Sequence, residues 1–232
     1  MAQVFHPSMN SVGKVVVVGL PLLLGATGIG LASFYRSSYV TGLREVVEQP
    51  VPFSHAHHVG QLGLDCRYCH TSVETSSFAG IPPTKTCMNC HQQMWVGADM
   101  LQVVRDSYRT DESISWNRVH NLPHYVYFNH SIHIGKGVGC VECHGRLDEM
   151  PLTFQNNTLL MEWCLNCHRN PDSHLRPKEE VFNMTWKPAD GATDPETGEK
   201  YPTNPGELAK LLKEKHHVRD AGTLTSCSMC HR

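Results

Sequence analysis

The chain has 232 residues, of which 40% are hydrophobic and 18% are charged, and its formal net charge is −2. This balance gives no broad electrostatic attraction to nucleic acid, so a nucleic-acid-binding function is not favoured. Ten cysteines and sixteen histidines are the unusual part of the composition. We therefore look for the chemistry of the protein in the arrangement of these two residue types.

The N-terminal part contains an uncharged run of twenty residues, VVVVGLPLLLGATGIGLASF, at positions 15 to 34. A run of this length is sufficient to cross the hydrocarbon layer of a membrane as one helix. The alternative is a cleaved signal peptide, because Gly30-Leu31-Ala32 is an acceptable cleavage site. We expect a retained transmembrane signal anchor over residues 15–35, preceded by a cytoplasmic segment over residues 1–14.

Every cysteine belongs to a Cys-x-x-Cys-His motif, and the chain has five such motifs. This is the attachment sequence for c-type haem, in which two thiols bond to the haem vinyl groups and the adjacent imidazole binds the iron. The pattern predicts five haems c, held covalently by Cys66, Cys69, Cys87, Cys90, Cys140, Cys143, Cys164, Cys167, Cys227 and Cys230. The predicted proximal ligands of the irons are His70, His91, His144, His168 and His231.

Two other uses of paired cysteines compete with haem attachment. A disulfide framework gives histidine no reason to follow every second cysteine. A zinc ribbon joins two Cys-x-x-Cys pairs into four ligands and again leaves the histidine unexplained. The fivefold repetition of the complete motif therefore favours haem over both alternatives.

The histidines also reveal an internal repeat. Phe53-Ser-His55-Ala-His57-His58 precedes Cys66, and Phe128-Asn-His130-Ser-Ile-His133 precedes Cys140, offset by about 75 residues. A second attachment motif follows 21 residues after the first in one copy and 24 residues after it in the other. We predict a first two-haem module over residues 36–127, a second over 128–186, and a loop, a helix and the fifth haem over 187–232.

The predicted fold class is a multihaem cytochrome c, made mostly of loops and short helices wrapped around five haems, with one N-terminal transmembrane helix. About 40 residues for each haem are too few for a conventional hydrophobic core. We expect short helices through Cys87 to Gln93, capped by Thr84, and through Leu160 to His168, capped by Asn157. Residues 187–205 are expected to form a loop, and Asn204-Pro205 to begin a helix that continues to residue 218.

The Phe-x-His-x-x-His element resembles the start of the cytochrome c3 and c7 families, in which the first histidine ligates the next haem in sequence and the second histidine the one after. The resemblance implies that His55 serves the haem at Cys66 and Cys69, and His58 the haem at Cys87 and Cys90. It likewise implies that His130 serves the haem at Cys140 and Cys143, and His133 the haem at Cys164 and Cys167.

The distal ligand of the fifth haem is less clear from the sequence. His217 lies ten residues before Cys227, a spacing comparable to that between His130 and Cys140, and is our prediction for this ligand. His120 is the main alternative. Met184 is the best placed of the methionines that would give a His/Met haem instead.

These ligands favour an electron-transfer protein over an enzyme. A multihaem reductase acting on nitrite or hydroxylamine needs an open coordination position with acid and base groups beside it. Here the chain has enough histidines to close all five irons. A third possibility is a single-anchor quinol-dehydrogenase cytochrome of the NapC/NrfH family, although the tandem Phe-x-His-x-x-His arrangement is not the pattern of that family.

The stretches FSHAHHVGQLGLDCRYCH, RVHNLPHYVYFNHSIH and LLMEWCLNCHRNP, followed by a C-terminal fifth motif, resemble the pentahaem cytochrome subunit of alternative complex III. The resemblance spans essentially the whole chain. It implies a relay subunit, without catalysis of its own, in a complex of the cytoplasmic (inner) membrane that oxidises quinol. The implied partners are an iron–sulfur subunit related to molybdopterin oxidoreductases, integral quinol-binding subunits and a monohaem cytochrome c. C-type cytochromes receive haem after export, so residues from about 36 onward are expected on the periplasmic side.

Overall fold

The computed structural model describes residues 4–231 and divides the chain into two units, one ending at Leu43 and the other beginning at Arg44. Within these residues the regular secondary structure is helical, and β pairing is limited to isolated bridges such as Val138 with Leu175. This confirms the predicted fold class of loops and short helices with an apolar N-terminal helix.

The N-terminal unit consists mainly of one long helix, α1 (Ser8–Tyr35), of 28 residues. Its length is about 42 Å at 1.5 Å per residue, which exceeds the roughly 30 Å of a bilayer core. The helix is long and apolar enough to cross a membrane, and it includes Pro21. A short helix, α2 (Ser38–Thr41), follows and ends at Gly42, whose φ of 67° is easily adopted only by glycine.

The second unit contains nine further short α-helices among the described residues, together with a π-helix at Ala56–Gln61 and several 3₁₀ turns. The α-helices are α3 (Cys66–Cys69), α4 (Thr84–His91), α5 (Gln102–Thr110), α6 (His130–Gly135), α7 (Cys140–His144), α8 (Met161–Arg169), α9 (Pro205–Lys215), α10 (Ala221–Leu224) and α11 (Cys227–Cys230). The 3₁₀ turns are Asp99–Leu101, Leu147–Glu149, Pro171–His174, Lys178–Glu180 and Pro188–Asp190.

Two of the expected helix caps are wrong, although the helices themselves are present. The N-cap of α4 is Pro83, and the hydroxyl of Thr84 pairs instead with that of Ser107 at 2.7 Å. The N-cap of α8 is Leu160, because the side-chain amide of Asn157 donates to carbonyls of α7. Both side chains join distant segments, which sequence spacing does not reveal.

The two Phe-x-His-x-x-His elements have the same local geometry, which establishes the repeat in three dimensions. The Phe53 ring stacks on His58 at 4.4 Å and lies edge-on to His55 at 4.9 Å. The Phe128 ring stacks on His133 at 4.5 Å and lies edge-on to His130 at 4.8 Å. Each phenylalanine therefore fixes the orientation of both histidines in its element.

The copies differ in the helix type that follows. His58 is eight residues before Cys66, whereas His133 is only seven before Cys140. The first copy forms a π-helix, Ala56–Gln61, where the second forms the α-helix α6. A π-helix takes up one more residue per turn, so it accommodates the additional residue while keeping the local histidine geometry unchanged.

Each copy also docks on the other copy through equivalent contacts. The amide of Ala56 donates to the carbonyl of Met150 at 2.9 Å, and the amide of Ser131 donates to the carbonyl of Ser76 at 3.2 Å. Ser131 lies 75 residues after Ala56, and Met150 lies 74 residues after Ser76. These are the reciprocal contacts of a two-fold interface, here formed inside one chain.

The second unit contains two apolar clusters of buried side chains. One joins Val51, Met88, Leu101 and Val104. The other joins Leu175, Trp186, Tyr201, Leu208 and Leu212. The expectation that the chain has no conventional core is therefore wrong for these two regions. We call residues 171–218, which contain the second cluster, the C-terminal clamp.

The clamp contains the predicted loop and helix. Thr193 pairs with Lys200 across a turn, so the 187–205 segment is an ordered turn rather than an open loop. Helix α9 begins after Asn204, whose side chain accepts from the amides of Gly206 and Glu207 as predicted for a cap. It ends at Lys215, three residues before the predicted end.

Candidate haem-binding sites

The five Cys-x-x-Cys-His motifs lie on short helical turns: α3, α7 and α11, and the C-terminal halves of α4 and α8. Such a turn brings residues i and i+3 to one side, so both thiols of a motif can reach one porphyrin edge. The structure joins none of the ten cysteines in a disulfide.

Four of the five motif histidines have an occupied Nδ1. His70 donates to the carbonyl of Gly80 at 2.6 Å, and His168 to that of Leu224 at 2.8 Å. His231 donates to the main-chain carbonyl of Tyr125 at 2.9 Å, and His91 donates to the main-chain carbonyl of Met94 at the longer distance of 3.3 Å. A backbone acceptor on Nδ1 fixes the ring orientation and leaves Nε2 for a metal, as is usual for ligating histidines.

The histidines of the Phe-x-His-x-x-His elements are held in the same way. His58 donates to the carbonyl of Ser54 at 2.8 Å, and His133 to that of Asn129 at 2.7 Å. His130 donates from Nδ1 to the carbonyl of Ser77, and the Nδ1 of His55 pairs with the hydroxyl of Thr153, both at 2.9 Å. The predicted distal ligands of the first four haems therefore also present Nε2.

Three of these histidines face a motif histidine at a spacing that suits one iron between them. With metal–nitrogen bonds of about 2 Å and ring centroids roughly 1 Å behind the nitrogens, two imidazoles on opposite sides of one iron have centroids roughly 6 Å apart. The observed centroid distances are 6.2 Å for His58 with His91, 6.4 Å for His130 with His144, and 6.2 Å for His133 with His168.

His55 and His144 are neutral at physiological pH. Burial, assisted by neighbouring imidazoles that include His70, lowers the pKa of His55 to about 4. Burial likewise lowers the pKa of His144 to about 3, and the nearby imidazoles of His120 and His130 lower it further. The neutral imidazole is the form that ligates iron, so this environment favours coordination over protonation.

The structure does not bring the predicted fifth pair together. The ring beside His231 is that of Tyr125, with centroids 5.8 Å apart. His217 is exposed and has a φ of 50°, because it occupies the left-handed position that ends helix α9. Lys136 donates to its carbonyl and to that of His216. The assignment of His217 to the fifth iron remains a prediction.

The two alternative candidates, His120 and Met184, lie elsewhere. The His120 ring is perpendicular to that of His144 with centroids only 4.3 Å apart, which is too close for two ligands of one iron. Its Nε2 is buried and has no hydrogen-bond partner among residues 4–231. Met184 is a buried part of the C-terminal clamp. Neither side chain is placed against His231 by the contacts of the described residues.

Sequence reasoning missed several side chains that connect the motifs. Asn89, inside the second motif, donates to the hydroxyl of Tyr68, inside the first, at 3.0 Å. Glu142, inside the third motif, pairs with Arg176 and His174 of the clamp. The sequence does show a polar residue, Asn89 or Glu142, between the two cysteines of a motif. It does not show the partner of that residue, which is distant in sequence in each case.

The chain thus has the residues that c-type haems require. Its thiol pairs lie on single turns, four of its motif histidines have an occupied Nδ1, and three imidazole pairs have the spacing of bis-histidine iron. Together with the helical fold, these features define a c-type cytochrome with several haems.

Comparison with known proteins leads to the same class. The chain is 30% identical over 152 residues to the "Menaquinone reductase, multiheme cytochrome c subunit" of Nitratidesulfovibrio vulgaris, covering 55% of this chain and 70% of that protein. It is 26% identical over 113 residues to the "Acrylate reductase cytochrome subunit" of Shewanella woodyi, covering 48% of this chain and 69% of that protein. No protein-family model matches the chain. The chain belongs to the family of multihaem cytochrome c subunits.

Proposed function

We propose that this protein is a pentahaem electron-transfer subunit of a membrane complex that exchanges electrons with quinol. The observation that carries the proposal is the pairing of imidazoles about 6 Å apart, because an iron held by two histidines has no open position for a substrate. Such sites suit the passage of single electrons rather than bond-making chemistry.

The motifs and the three pairs of facing imidazoles support the following ligand set. Each motif supplies two thioether bonds and one proximal histidine. His55, His58, His130 and His133 are the distal ligands of the first four haems in the order given by the family resemblance. His217 would serve the fifth, provided that the end of helix α9 rearranges. The haems, when bound, supply the reversible one-electron chemistry.

Contacts between the motifs support one linear order of electron transfer. The first and second motifs touch through Tyr68 and Asn89. The third and fourth are joined by Asn157, which precedes α8 and donates to the carbonyls of Glu142 and Cys143 at 3.0 and 2.9 Å. The second and fourth motifs therefore each have a neighbour from their own module.

The remaining two contacts connect the modules and the appended motif. The reciprocal docking brings His130 against Ser77, which follows the first motif. His168 of the fourth motif donates to Leu224, which precedes the fifth. The resulting order of motifs is second, first, third, fourth, fifth. The second and fifth haems are the proposed ends of the path.

The membrane context rests on the relatives and on helix α1. The names of both relatives describe cytochrome subunits of reductases, one of them a menaquinone reductase. The apolar helix Ser8–Tyr35 supports attachment to a membrane. The periplasmic side for the haems is supported only by the resemblance to c-type cytochromes, which receive haem after export. The resemblance to alternative complex III specifies the partners: an iron–sulfur subunit, integral quinol-binding subunits and a monohaem cytochrome c.

The proposal is tested on the complex purified in detergent from its native membrane. A pyridine haemochrome assay should give five haems c per chain, and low-temperature EPR should show low-spin, bis-histidine iron. The chain should co-purify with integral subunits, and quinol oxidation should require those subunits. A high-spin iron that binds nitrite or hydroxylamine would instead indicate a catalytic haem.

The alternative of a NapC/NrfH-type quinol dehydrogenase is separated by one measurement. That type of cytochrome oxidises quinol by itself. The isolated holoprotein in detergent should therefore show no quinol oxidation under our proposal, while retaining five reducible haems.

A further inference from the structure

An ionic network lies inside the third haem-attachment motif. Glu142 occupies the position between Val141 and Cys143. Its carboxylate accepts from the guanidinium of Arg176 at 2.9 Å and from the Nδ1 of His174 at 2.6 Å. The hydrogen bond to Glu142 raises the pKa of His174. The C-terminal clamp thus contributes both partners of a charged residue within the motif.

The Arg176 side chain is deeply enclosed. It is only 6% exposed, and Glu142 is 23% exposed. Its guanidinium also donates to the carbonyl of Asn183 at 2.9 Å and lies over the ring of Trp186. A Cβ on Gly139, immediately before the motif, would overlap the guanidinium. The cation is therefore held against the start of the third motif by packing on several sides.

Each charge of a pair enclosed in this way acts strongly on its surroundings, and the two effects oppose each other. Interactions between charges are weakly screened away from water, and an unpaired buried charge is costly. Nearby charge is one of the levers that set the reduction potential of a haem. A carboxylate alone beside the motif would stabilise the oxidised iron, which carries more positive charge, whereas the paired guanidinium offsets that effect.

We propose that Arg176 is a positioning residue that sets the reduction potential of the haem held by Cys140 and Cys143, by neutralising Glu142 within the attachment motif. The inference rests on the proposed haem-binding function. It assigns to the C-terminal clamp, which contains no attachment motif, a role in adjusting the middle of the electron-transfer path, in addition to packing on the second module.

The test is an EPR-monitored redox titration of the purified holo-complex. Arg176→Met leaves the carboxylate without its guanidinium partner and should shift one of the five midpoint potentials to a more negative value. Glu142→Gln removes the carboxylate and should shift the same haem to a more positive value. In the double variant the two shifts should largely cancel, because it carries no net charge from these two residues, as in the wild type. Arg176→Lys should restore most of the wild-type value.

Haem content and the low-spin EPR signal are measured first, so a failure of the proposed function is recognised before any potential is compared. Arg109→Met, which breaks an exposed pair with Asp106, is the matched control and should leave all five potentials unchanged. If Arg176→Met does not assemble, Glu142→Gln decides alone. Unchanged potentials in Glu142→Gln, or shifts of the same sign in both single variants, would overturn the proposal.

Discussion

The Cα of Gly60 lies directly against the main-chain carbonyl of Asp148, so that a Cβ at this position would overlap the carbonyl oxygen. Through this close approach, the π-helix of the first module packs directly on the 3₁₀ turn Leu147–Glu149 of the second. Glycine is required here for its lack of a side chain.

Replacing Gly60 with alanine should therefore weaken the docking of the two modules, at a cost of about 1–3 kcal/mol for an overpacked contact. Gly135 is the equivalent residue of the second copy and has open space around it. Gly135→Ala should be neutral or slightly stabilising. Thermal unfolding of the two holo-variants gives the comparison, and equal stability would contradict the role of Gly60 at the interface.

His133 should control a haem that is not its neighbour in sequence. Its ring faces His168 at a centroid distance of 6.2 Å, whereas the closer motif histidine, His144, is paired with His130. In His133→Ala the haem at Cys164 and Cys167 should lose its low-spin signal, and the haem at Cys140 and Cys143 should keep it.

His124 offers a control for this experiment, because it is exposed and lies outside both elements. His124→Ala should leave all low-spin signals intact. A change confined to the haem at Cys140 and Cys143 in His133→Ala would refute the assignment. EPR and near-infrared magnetic circular dichroism on the holoprotein distinguish these results.

The C-terminal clamp should lose stability when its core is reduced, independently of the haems. Leu212 is fully buried, with 0% exposure, in the cluster around Trp186 and Tyr201. Leu212→Ala should destabilise the clamp by about 2–5 kcal/mol through lost contacts and a cavity. Leu211, on the exposed side of α9, is the control, and its alanine variant should cost less than about 1 kcal/mol.

Hydrogen exchange of the α9 amides measures this difference locally. Haem content and the low-spin spectra should be unchanged in both variants. If Leu212→Ala prevented haem attachment altogether, the packing of the clamp would not be separate from that of the haem modules.

The clamp should also loosen in acid. Lys215 donates to the carboxylate of Asp194 and to the hydroxyl of Tyr201. The hydrogen bond from Lys215 holds the pKa of Asp194 below its ordinary value. A depressed carboxyl pKa contributes stability above about pH 4, the ordinary aspartate pKa, and that contribution is lost as the pH falls through the lower folded value.

Asp194→Asn should therefore speed hydrogen exchange in α9 at neutral pH, and its difference from wild type should shrink below about pH 4. A variant difference that stayed constant down to strongly acidic pH would show that the charge of Asp194 is not involved. Asp106→Asn, in an exposed pair on α5, is the control.

The sequence predicts much of this architecture because its strongest signals are local. The attachment motifs, the Phe-x-His-x-x-His elements and the Asn204 cap each depend on a few consecutive residues, and the structure places them on helices as expected. The internal repeat was also visible, since histidine and cysteine spacing survives in both copies.

The features that escaped prediction depend on contacts between distant segments. Asn157 looked like a helix cap but donates to α7, and Glu142 pairs with Arg176, 34 residues away. The spacing from Cys227 predicts His217 as a ligand, but His217 follows the end of helix α9 and has a left-handed backbone conformation. Spacing alone does not reveal which way a side chain points after a helix ends.

The reciprocal docking of Ala56 on Met150 and of Ser131 on Ser76 has a consequence for how such a chain assembles. A single two-haem module would expose both its histidine element and the turn that receives the element of another copy, so alone it would depend on meeting a second molecule. Placing both copies in one chain gives the pair an effective concentration set by the segment that joins them, not by the concentration of the protein. The central pair of sites therefore forms at any dilution of the protein, and its formation is a property of one polypeptide.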